Sequence, residues 1–196
     1  MIVLLAAGEG RRFGGIKQLA PIGGQPMLRG AVQVAQGTGL AVIVVTGAHA
    51  ANTEPLLADL CVDVVRNEHW PEGMGSSLAT GMRHALVHYP HASGVLVCLA
   101  DQPLIDAAAL HALIDHHARR PAQIVATSHD GKAGPPALFP HDCFPALLAC
   151  SGDHGARALL VAEAKRVTVL DHAGSVDVDT PADLVRAREA WPPGRL

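Results

Sequence analysis

The stretch from residue 1 to 19, MIVLLAAGEGRRFGGIKQL, constrains the fold more than any other part of the chain. Its apolar run, Ile2–Ala6, is typical of a parallel strand that is buried on both faces. A loop rich in glycine follows, and it carries the cations Arg11, Arg12 and Lys17. Glycines let the backbone approach a ligand closely, exposed N–H groups can line an anion site, and fixed cations suit a polyphosphate. The stretch therefore predicts a strand that runs into a nucleotide-binding loop.

Two common phosphate-binding motifs fit this loop poorly. The P-loop requires G-x-x-x-x-G-K-[ST], whereas Lys17 is followed by Gln18. Gly8-Glu9-Gly10 nearly matches the dinucleotide-binding fingerprint, but that motif also requires an acidic residue at the end of the second strand. The second apolar run ends in Thr46-Gly47-Ala48-His49, which contains no carboxylate. A glycine-rich surface turn with incidental charges is the simplest alternative.

The longer stretch LAAGEGRRFGGIKQLAPIGGQPML resembles the N-terminal signature of the MobA-like NTP transferase family, written roughly L-A-A-G-x-x-x-R-M-G-x-x-K-x-L. Segments at 73–78, 101–103, 131–139, 151–157 and 177–183 resemble further motifs of this family in the family's order. The sequence departs from the pattern at Gly10, Phe13, Pro135 and Ala137. The resemblance implies a nucleotidyltransferase with the fold of the nucleotide-diphospho-sugar transferases.

Strand-like and helix-like runs alternate along the rest of the chain. The strand-like runs are Ile2–Ala6, Ala41–Val45, Val62–Val65, Val95–Leu99, Gln123–Ala126 and Val167–Leu170, with shorter pieces at Ala137–Phe139 and Ser175–Val178. The helix-like runs are Pro26–Gln36, Asn52–Leu60, Ser76–Val87, Ala107–Ala118, Phe144–Ala149, Ala156–Glu163 and Pro181–Ala190. This alternation predicts a single three-layer α/β/α domain over residues 1–190, with a mostly parallel, Rossmann-like sheet of about seven strands. The tail, 191–196, is predicted to fray.

Composition and charge exclude several classes of partner. A net charge of −3 and an aromatic content of 3% argue against nucleic acid and against an anionic membrane surface. No apolar run approaches the roughly 20 residues of a bilayer span. The chain starts with a core strand and lacks a basic leader, so we expect a cytoplasmic protein, and we expect it to be a monomer.

Cysteine and histidine give only weak metal signals. The four cysteines form no C-x-x-C pair, and Cys98 lies in an apolar run that predicts a reduced core residue. His84, His88 and His91 have spacing that would share a helix face, but Pro90 interrupts that helix. A solvated face is therefore favoured over a zinc site.

Two aspartate motifs suggest a magnesium site. Asp101 ends an apolar strand, where an unpaired buried carboxylate would be costly and where open α/β sheets bind ligands. Because Mg²⁺ takes one or two carboxylates together with phosphate oxygens, we predict that Asp101 is a ligand, the alternative being a cap for the following helix. Asp177 and Asp179 alternate along a predicted strand, and Thr180 is the predicted cap before Pro181. The resemblance implies a second metal aspartate here, Asp179, with Asp177 as the other candidate.

The resemblance also implies which residues contact the substrates. The nucleotide-binding set is Leu5, Ala6, Ala7, Gly8, Gly10, Arg12, Lys17, Gly73, Ser76 and Ser77. Ser76 or Ser77 is at the same time a good helix cap. The acceptor-binding set, which follows the molybdenum cofactor cytidylyltransferase branch, is Gly134, Pro136, Asp153, Gly155 and Arg157, and ordinary turn chemistry explains each of these segments almost as well. Within this resemblance Ala7 favours CTP over GTP, because its side chain narrows the space for a purine.

The implied reaction is attack by an acceptor phosphate on the α-phosphorus of CTP, with release of pyrophosphate. Such a step depends on alignment and charge neutralisation. The implied catalytic residues are Arg12 for the pyrophosphate, Lys17 for the α-phosphate and Asp101 for Mg²⁺. The acceptor would be a phosphorylated pterin, and a molybdoenzyme or its chaperone would be a partner. Two alternatives stay open: transfer to a sugar- or polyol-phosphate, and a non-catalytic nucleotide-binding subunit that delivers a cofactor.

Overall fold

A seven-stranded sheet forms the centre of the structure, a computed structural model that describes residues 1–129, 131–153, 155–172, 174 and 176–192. The strands of the molecule are β1 Ile2–Leu5, β2 Pro21–Ile22, β3 Gln25–Pro26, β4 Val42–Thr46, β5 Asp63–Arg66, β6 Gly94–Leu99, β7 Ile124–His129, β8 Lys132–Pro140 and β9 Val167–Leu170. The central sheet has the order β5-β4-β1-β6-β8-β7-β9, while β2 and β3 form a separate hairpin. β8 is antiparallel to β6 and β7, and the other neighbouring pairs are parallel.

Helices cover both faces of this sheet. They are α1 Met27–Gln36, α2 Ala50–Thr53, α3 Met74–His88, α4 Ala107–Arg119, α5 Phe144–Leu148, α6 Arg157–Ala162 and α7 Pro181–Glu189. Alternate residues of β1 serve opposite cores, so that Ile2 and Leu4 pack with α1 and α4, whereas Val3 packs with α3, α5 and α6. α3 can lie close to the sheet because residue 81 is a glycine. A Cβ atom at this position would come within 2.6 Å of Val3 Cγ1. The predicted three-layer architecture with a mostly parallel seven-stranded sheet is confirmed.

Three predicted elements are wrong in their extent. The short piece Ala137–Phe139 belongs to the nine-residue strand β8. The pattern does not predict the full strand, because Pro135 and Pro136 lack the N–H groups that a strand normally donates. The predicted helix Asn52–Leu60 is instead the short α2 followed by a 3₁₀ turn, Glu54–Leu57, where Pro55 stands near the turn's start. Residues 176–178 form no strand, and Ser175 lies outside the described residues. The remaining strands and helices shift by only a few residues at their ends, where helices and strands fray.

The β2–β3 hairpin and α7 share a small third core. Ile22, Met27 and Leu184 are buried in it, and the Trp191 ring packs directly over Gly23. Of the tail that is predicted to fray, residues 193–196 lie outside the described residues. Across the described part of the chain, no helix combines the length and the apolar character that a membrane span needs.

Candidate active site

The loop after β1 is shaped by a side chain from its own far end. Gln18 is 3% exposed, and its Nε2 donates hydrogen bonds to the carbonyls of Ala6 (3.0 Å) and Gly8 (2.9 Å). His49 Nε2 lies 2.9 Å from the carbonyl oxygen of Glu9 and fixes the loop from the β4 side. This role of Gln18 is not among the sequence-based predictions, and the signal available for it is the place of Gln18 directly after Lys17. These contacts tie the backbone of the loop to its own far end and to the segment after β4.

Lys17 joins two carboxylates that come from distant parts of the chain. Its Nζ lies 2.5 Å from Asp101 Oδ2 and 3.1 Å from Asp179 Oδ1. Arg12 Nη2 reaches the other oxygen of Asp179 at 2.7 Å, although the Arg12 side chain is largely exposed. The structure therefore brings together the four charged residues that are predicted to act in catalysis or metal binding.

The environment of Lys17 keeps its ammonium group charged. Burial acts to lower its pKa, but the charges and hydrogen bonds of Asp101 and then Asp179 act in the opposite direction and raise the pKa above its usual value. Only 11% of the Lys17 side chain is exposed. A buried cation of this kind suits an anion that approaches along the loop.

The position of Asp101 fits a divalent metal. Asp101 Oδ1 is buried and has no hydrogen-bond partner among the described residues, while its other oxygen contacts Lys17. The alternative role as a helix cap falls to Asp106, which accepts a hydrogen bond from the Ala109 N–H at 2.8 Å and begins α4. Among the described residues no cluster of three or more histidine, cysteine or acidic side chains is arranged for a metal. Two carboxylates fit Mg²⁺ that also binds phosphate oxygens and water.

The segment 176–180 carries its aspartates into different environments. Thr180 caps α7 as predicted, in a capping box with Asp183. Asp177 accepts a hydrogen bond from Gln102 Nε2 at 2.9 Å, whereas Asp179 contacts Lys17 and Arg12. The two aspartates therefore do not serve one site together, and Asp179 is the one that faces Asp101 across Lys17.

A cavity of about 480 Å³, here called the loop cavity, opens beside this network. Of the predicted nucleotide-binding residues, its wall contains Leu5, Ala6, Ala7, Gly8, Gly10, Lys17, Gly73 and Ser77. Asp101 and Asp179 also line the loop cavity. Trp70 and Met74, which are not among the predicted site residues, line it as well. Arg12 reaches the wall through its bond to Asp179, and the Ser76 hydroxyl is turned toward the backbone of His69 and Gly73.

The predicted serine cap of α3 is wrong. The helix begins at Met74, and the cap position is Gly73, so Ser76 and Ser77 lie inside the first turn. Both are buried, and both hydroxyls accept hydrogen bonds from Asn67 Nδ2, at 2.9 and 3.0 Å. Gly73 has a φ of +102°, and a Cβ atom there would come within 2.5 Å of the Gly152 backbone. Only glycine permits this close approach between the loop at Gly73 and the loop at Gly152. The glycine therefore occupies the cap position, and α3 begins two residues before the first serine.

A second cavity of about 170 Å³, here called the side cavity, adjoins the first. Leu5, Met74, Leu99 and Asp153 line both cavities, and the side cavity adds residues from β8, α6 and the Asp177 segment.

Of the predicted acceptor-binding residues, Gly134, Asp153 and Arg157 line the side cavity, together with Lys132. Pro136 instead lines a small gap beside Leu110, and the chain at Gly155 packs against Met74. The predicted helix start at Ala156 moves to Arg157, and His154 of the same motif lies outside the described residues.

The other titratable groups singled out in the sequence lie away from both cavities. His84 Nε2 contacts Asp63 Oδ2 at 3.1 Å and stacks on His88 with ring centroids 4.1 Å apart. This carboxylate partner comes from β5, which lies far from His84 in the sequence, so no local pattern predicts it. Cys98 is a free, buried thiol whose pKa burial raises to about 12, as expected for a core cysteine.

Comparisons with known proteins agree with this geometry. The MobA-like NTP transferase domain matches residues 2–167. The purine catabolism protein PucB of Bacillus subtilis is 31% identical over 207 aligned positions, which cover 96% of this chain and 95% of PucB. The crystal structure of Rv0371c from Mycobacterium tuberculosis is 29% identical, covers 96% of both chains and superposes with a TM-score of 0.81. A manganese complex of Rv0371c is similar at 28% identity, with a TM-score of 0.79 and coverage of 97% and 98%.

Proposed function

The chain belongs to the MobA-like NTP transferase family and is a nucleotidyltransferase, and from that premise we propose that it transfers CMP from CTP to the phosphate of a molybdopterin-type acceptor, releasing pyrophosphate. The observation that carries the proposal is the meeting of Lys17 with Asp101 and Asp179 on the wall of the loop cavity. A buried lysine between two carboxylates is suited to a polyphosphate that arrives with its own metal.

The residues of the loop cavity divide the work of this reaction. The exposed Arg12 would hold the leaving pyrophosphate, and Lys17 would neutralise charge that develops on the α-phosphate. Gln18 keeps the loop in one shape, so that its backbone can approach the phosphates without rearrangement. Asp101 and Asp179 would hold Mg²⁺, which when bound supplies positive charge next to the triphosphate.

The packing around Ala7 supports a pyrimidine. Ala7 is 5% exposed and lines the loop cavity, and a Cβ atom at Gly47 would come within 2.8 Å of both the Cβ and the carbonyl oxygen of Ala7. The Cβ atom of Trp70 lies 2.9 Å from the same point. The three residues are in tight contact, so the wall cannot move outward there to make room for a larger base.

The side cavity supports an acceptor that carries phosphate. Lys132 and Arg157 contribute two cations to its wall, and Asp153 and Asp177 contribute two carboxylates, of which Asp177 accepts a hydrogen bond from Gln102. Because the side cavity shares four wall residues with the loop cavity, an acceptor bound there would lie beside the nucleotide. Transfer to a sugar- or polyol-phosphate is the competing outcome of the test below.

Pyrophosphate release tests the proposal. The purified chain is assayed with each of the four nucleoside triphosphates and Mg²⁺, with and without molybdopterin, and with a panel of sugar- and polyol-phosphates. We expect release that requires molybdopterin and is fastest with CTP. Release that is faster with a sugar- or polyol-phosphate, or that ignores the base, would contradict the acceptor or the nucleotide assignment respectively.

The variant Ala7→Gly tests the base preference separately. Removal of this methyl group should raise the rate with GTP relative to CTP by about 10-fold, in line with the discrimination that one methyl-sized group supplies. Ala20→Gly is the matched control, because Ala20 is also a buried alanine but lies outside the wall of the loop cavity. An unchanged GTP-to-CTP ratio in Ala7→Gly would remove the steric explanation.

A further inference from the structure

Gln102 is a buried amide at the end of β6, directly after Asp101. It is 4% exposed, and its Nε2 donates hydrogen bonds to Asp177 Oδ1 (2.9 Å) and to the Pro135 carbonyl (3.1 Å). Its Oε1 is buried and has no hydrogen-bond partner among the described residues. An unpaired buried carbonyl lowers stability, so an apolar side chain of this shape would suit the fold better. The amide is therefore explained by the bonds that it donates.

Of the two groups that accept a hydrogen bond from Gln102, the Pro135 carbonyl has a second side-chain donor. The Pro135 carbonyl also accepts a hydrogen bond from Thr127 Oγ1 at 2.9 Å, and β7 shifts its register at this point against β8. The Pro135 carbonyl therefore keeps a donor if Gln102 is replaced. The bond to Asp177, in contrast, joins the end of β6 to a segment that belongs to no strand or helix.

Hydrogen bonds fasten this segment beside Asp101. The Val178 N–H donates to the Asp101 carbonyl at 2.8 Å, and Asp177 accepts from Gln102. Asp179 follows directly, and its side chain meets the same Lys17 nitrogen as Asp101. The two bonds hold the segment on the Asp101 side of Asp179, and on the other side the Asp179 N–H donates to Asp183 Oδ2 at 3.1 Å.

We propose that Gln102 is a positioning residue that holds Asp179 opposite Asp101 and thereby sets the affinity of the site for a divalent metal. This inference rests on the proposed function, because it assumes that these two carboxylates hold the metal. Gln102 acts through Asp177: both residues line the side cavity, and Gln102 is absent from the wall of the loop cavity, where Asp101 and Asp179 lie. Loss of such a supporting hydrogen bond typically weakens metal binding about 10- to 100-fold.

The test is direct Mn²⁺ binding by the full chain, followed by the electron paramagnetic resonance signal of free Mn²⁺ in the presence of α,β-methylene-CTP, which cannot transfer its nucleotide. Gln102→Met, which keeps the shape and removes both donors, should bind Mn²⁺ about 10- to 100-fold more weakly than the unmodified chain. Turnover at saturating Mn²⁺, nucleotide and acceptor should fall much less than the Mn²⁺ affinity, because Gln102→Met alters the side-cavity wall but removes no residue that lines the loop cavity.

Thr127→Val is the matched control. It removes the other side-chain donor to the Pro135 carbonyl and leaves the bond to Asp177 in place. Its Mn²⁺ affinity should stay within about 2-fold of the unmodified chain. Equal affinities for Gln102→Met and the unmodified chain, or equal losses in Gln102→Met and Thr127→Val, would overturn the positioning role.

A second pair of variants keeps the test decisive if Gln102→Met does not fold. Gln102→Glu places a carboxylate against Asp177 and should weaken Mn²⁺ binding further, whereas adding Asp177→Asn restores a donor between the two side chains and should recover at least part of the affinity. No recovery in the double variant would also overturn the inference. If the unmodified chain itself binds no Mn²⁺ with the nucleotide, the proposed function fails instead.

Discussion

The loop cavity and the side cavity are built in different ways. The loop cavity takes much of its wall from one continuous stretch, Leu5 to Gly10, whose carbonyls are held by Gln18. Several of its charged groups are paired with one another: Lys17 contacts Asp101 and Asp179, and Arg11 contacts Glu9. The side cavity is assembled from residues of several separate segments, namely β6, β8, α6 and the loops at Asp153 and Asp177.

This difference suggests a division of labour. The wall of the loop cavity consists largely of one continuous loop and of charged residues that contact one another. Such a wall is difficult to change one residue at a time, so it suits the triphosphate chemistry that family members share. The wall of the side cavity consists of residues from several separate segments, each of which can be substituted without changing the others. Such a wall suits the recognition of one particular acceptor. Each of the following predictions alters a residue of one cavity, and the comparison of their effects tests that division.

The largest effect is expected from Asp101→Ala in the loop cavity. Turnover should fall by on the order of 10²–10³, because the variant removes both a charged wall residue and the proposed metal ligand. The fold should persist, since Lys17 keeps its contact with Asp179. Steady-state pyrophosphate release and a thermal unfolding curve measure the two outcomes.

Asp106→Ala is the control for that variant. It removes another carboxylate near the end of β6, but one that caps α4, so it should lower the free energy of unfolding by about 1 kcal/mol and leave turnover unchanged. Near-normal turnover in Asp101→Ala would refute the metal assignment.

A smaller and more selective effect is expected from Arg157→Met in the side cavity. Loss of one charged hydrogen-bond donor is worth about 1.5 kcal/mol, so the KM for the acceptor should rise about 10-fold. The KM for CTP should not change, because Arg157 lines only the side cavity of the two. Initial rates with each substrate varied in turn separate these constants. Arg119→Met, an exposed arginine at the end of α4, should change neither, and a rise in the KM for CTP with Arg157→Met would show that the two cavities do not divide the substrates.

The smallest expected effect is the pH dependence of stability that Lys17 confers on the loop cavity. Its folded pKa lies above the unfolded value near 10.5, so the folded chain keeps a proton that the unfolded chain releases as the pH passes 10.5. The contribution is therefore fully present below that pH and is lost as the pH rises through the folded pKa, with a slope of at most about 1.4 kcal/mol per pH unit.

Urea unfolding of the ligand-free chain between pH 8 and 11.5 measures this contribution. The difference in unfolding free energy between the unmodified chain and Lys17→Met should be constant up to about pH 10 and then shrink. Lys165→Met, which removes an exposed lysine, controls for the loss of one charge. A constant difference over the whole range would show that the carboxylates do not hold the proton on Lys17.

The parts of the site that follow from strand ends could be predicted from the sequence. Because the carboxyl ends of neighbouring parallel strands meet, the loop after β1 and Asp101 after β6 had to lie at one edge. Thr180 before Pro181 is a local signal, and it caps α7 as predicted.

The other features depend on contacts between distant segments. β8 was hidden because Pro135 and Pro136 resemble strand breakers, whereas the fold tolerates them at a point where β7 shifts its register. The serine cap failed because Gly73 meets the backbone of Gly152, a contact that no local pattern encodes. The amide bonds of Gln18 and Gln102 were missed for the same reason.

The bond between Lys17 and Asp179 has a consequence for how the molecule acquires activity. It joins positions 162 residues apart and so closes almost the entire chain into one loop. Long-range closures are slow to form during folding, because the entropy of the intervening chain opposes them until other contacts exist. We therefore expect the contact between Lys17 and Asp179 to form only after α7 has docked, so that a partly folded chain would have the glycine-rich loop without this carboxylate beside it.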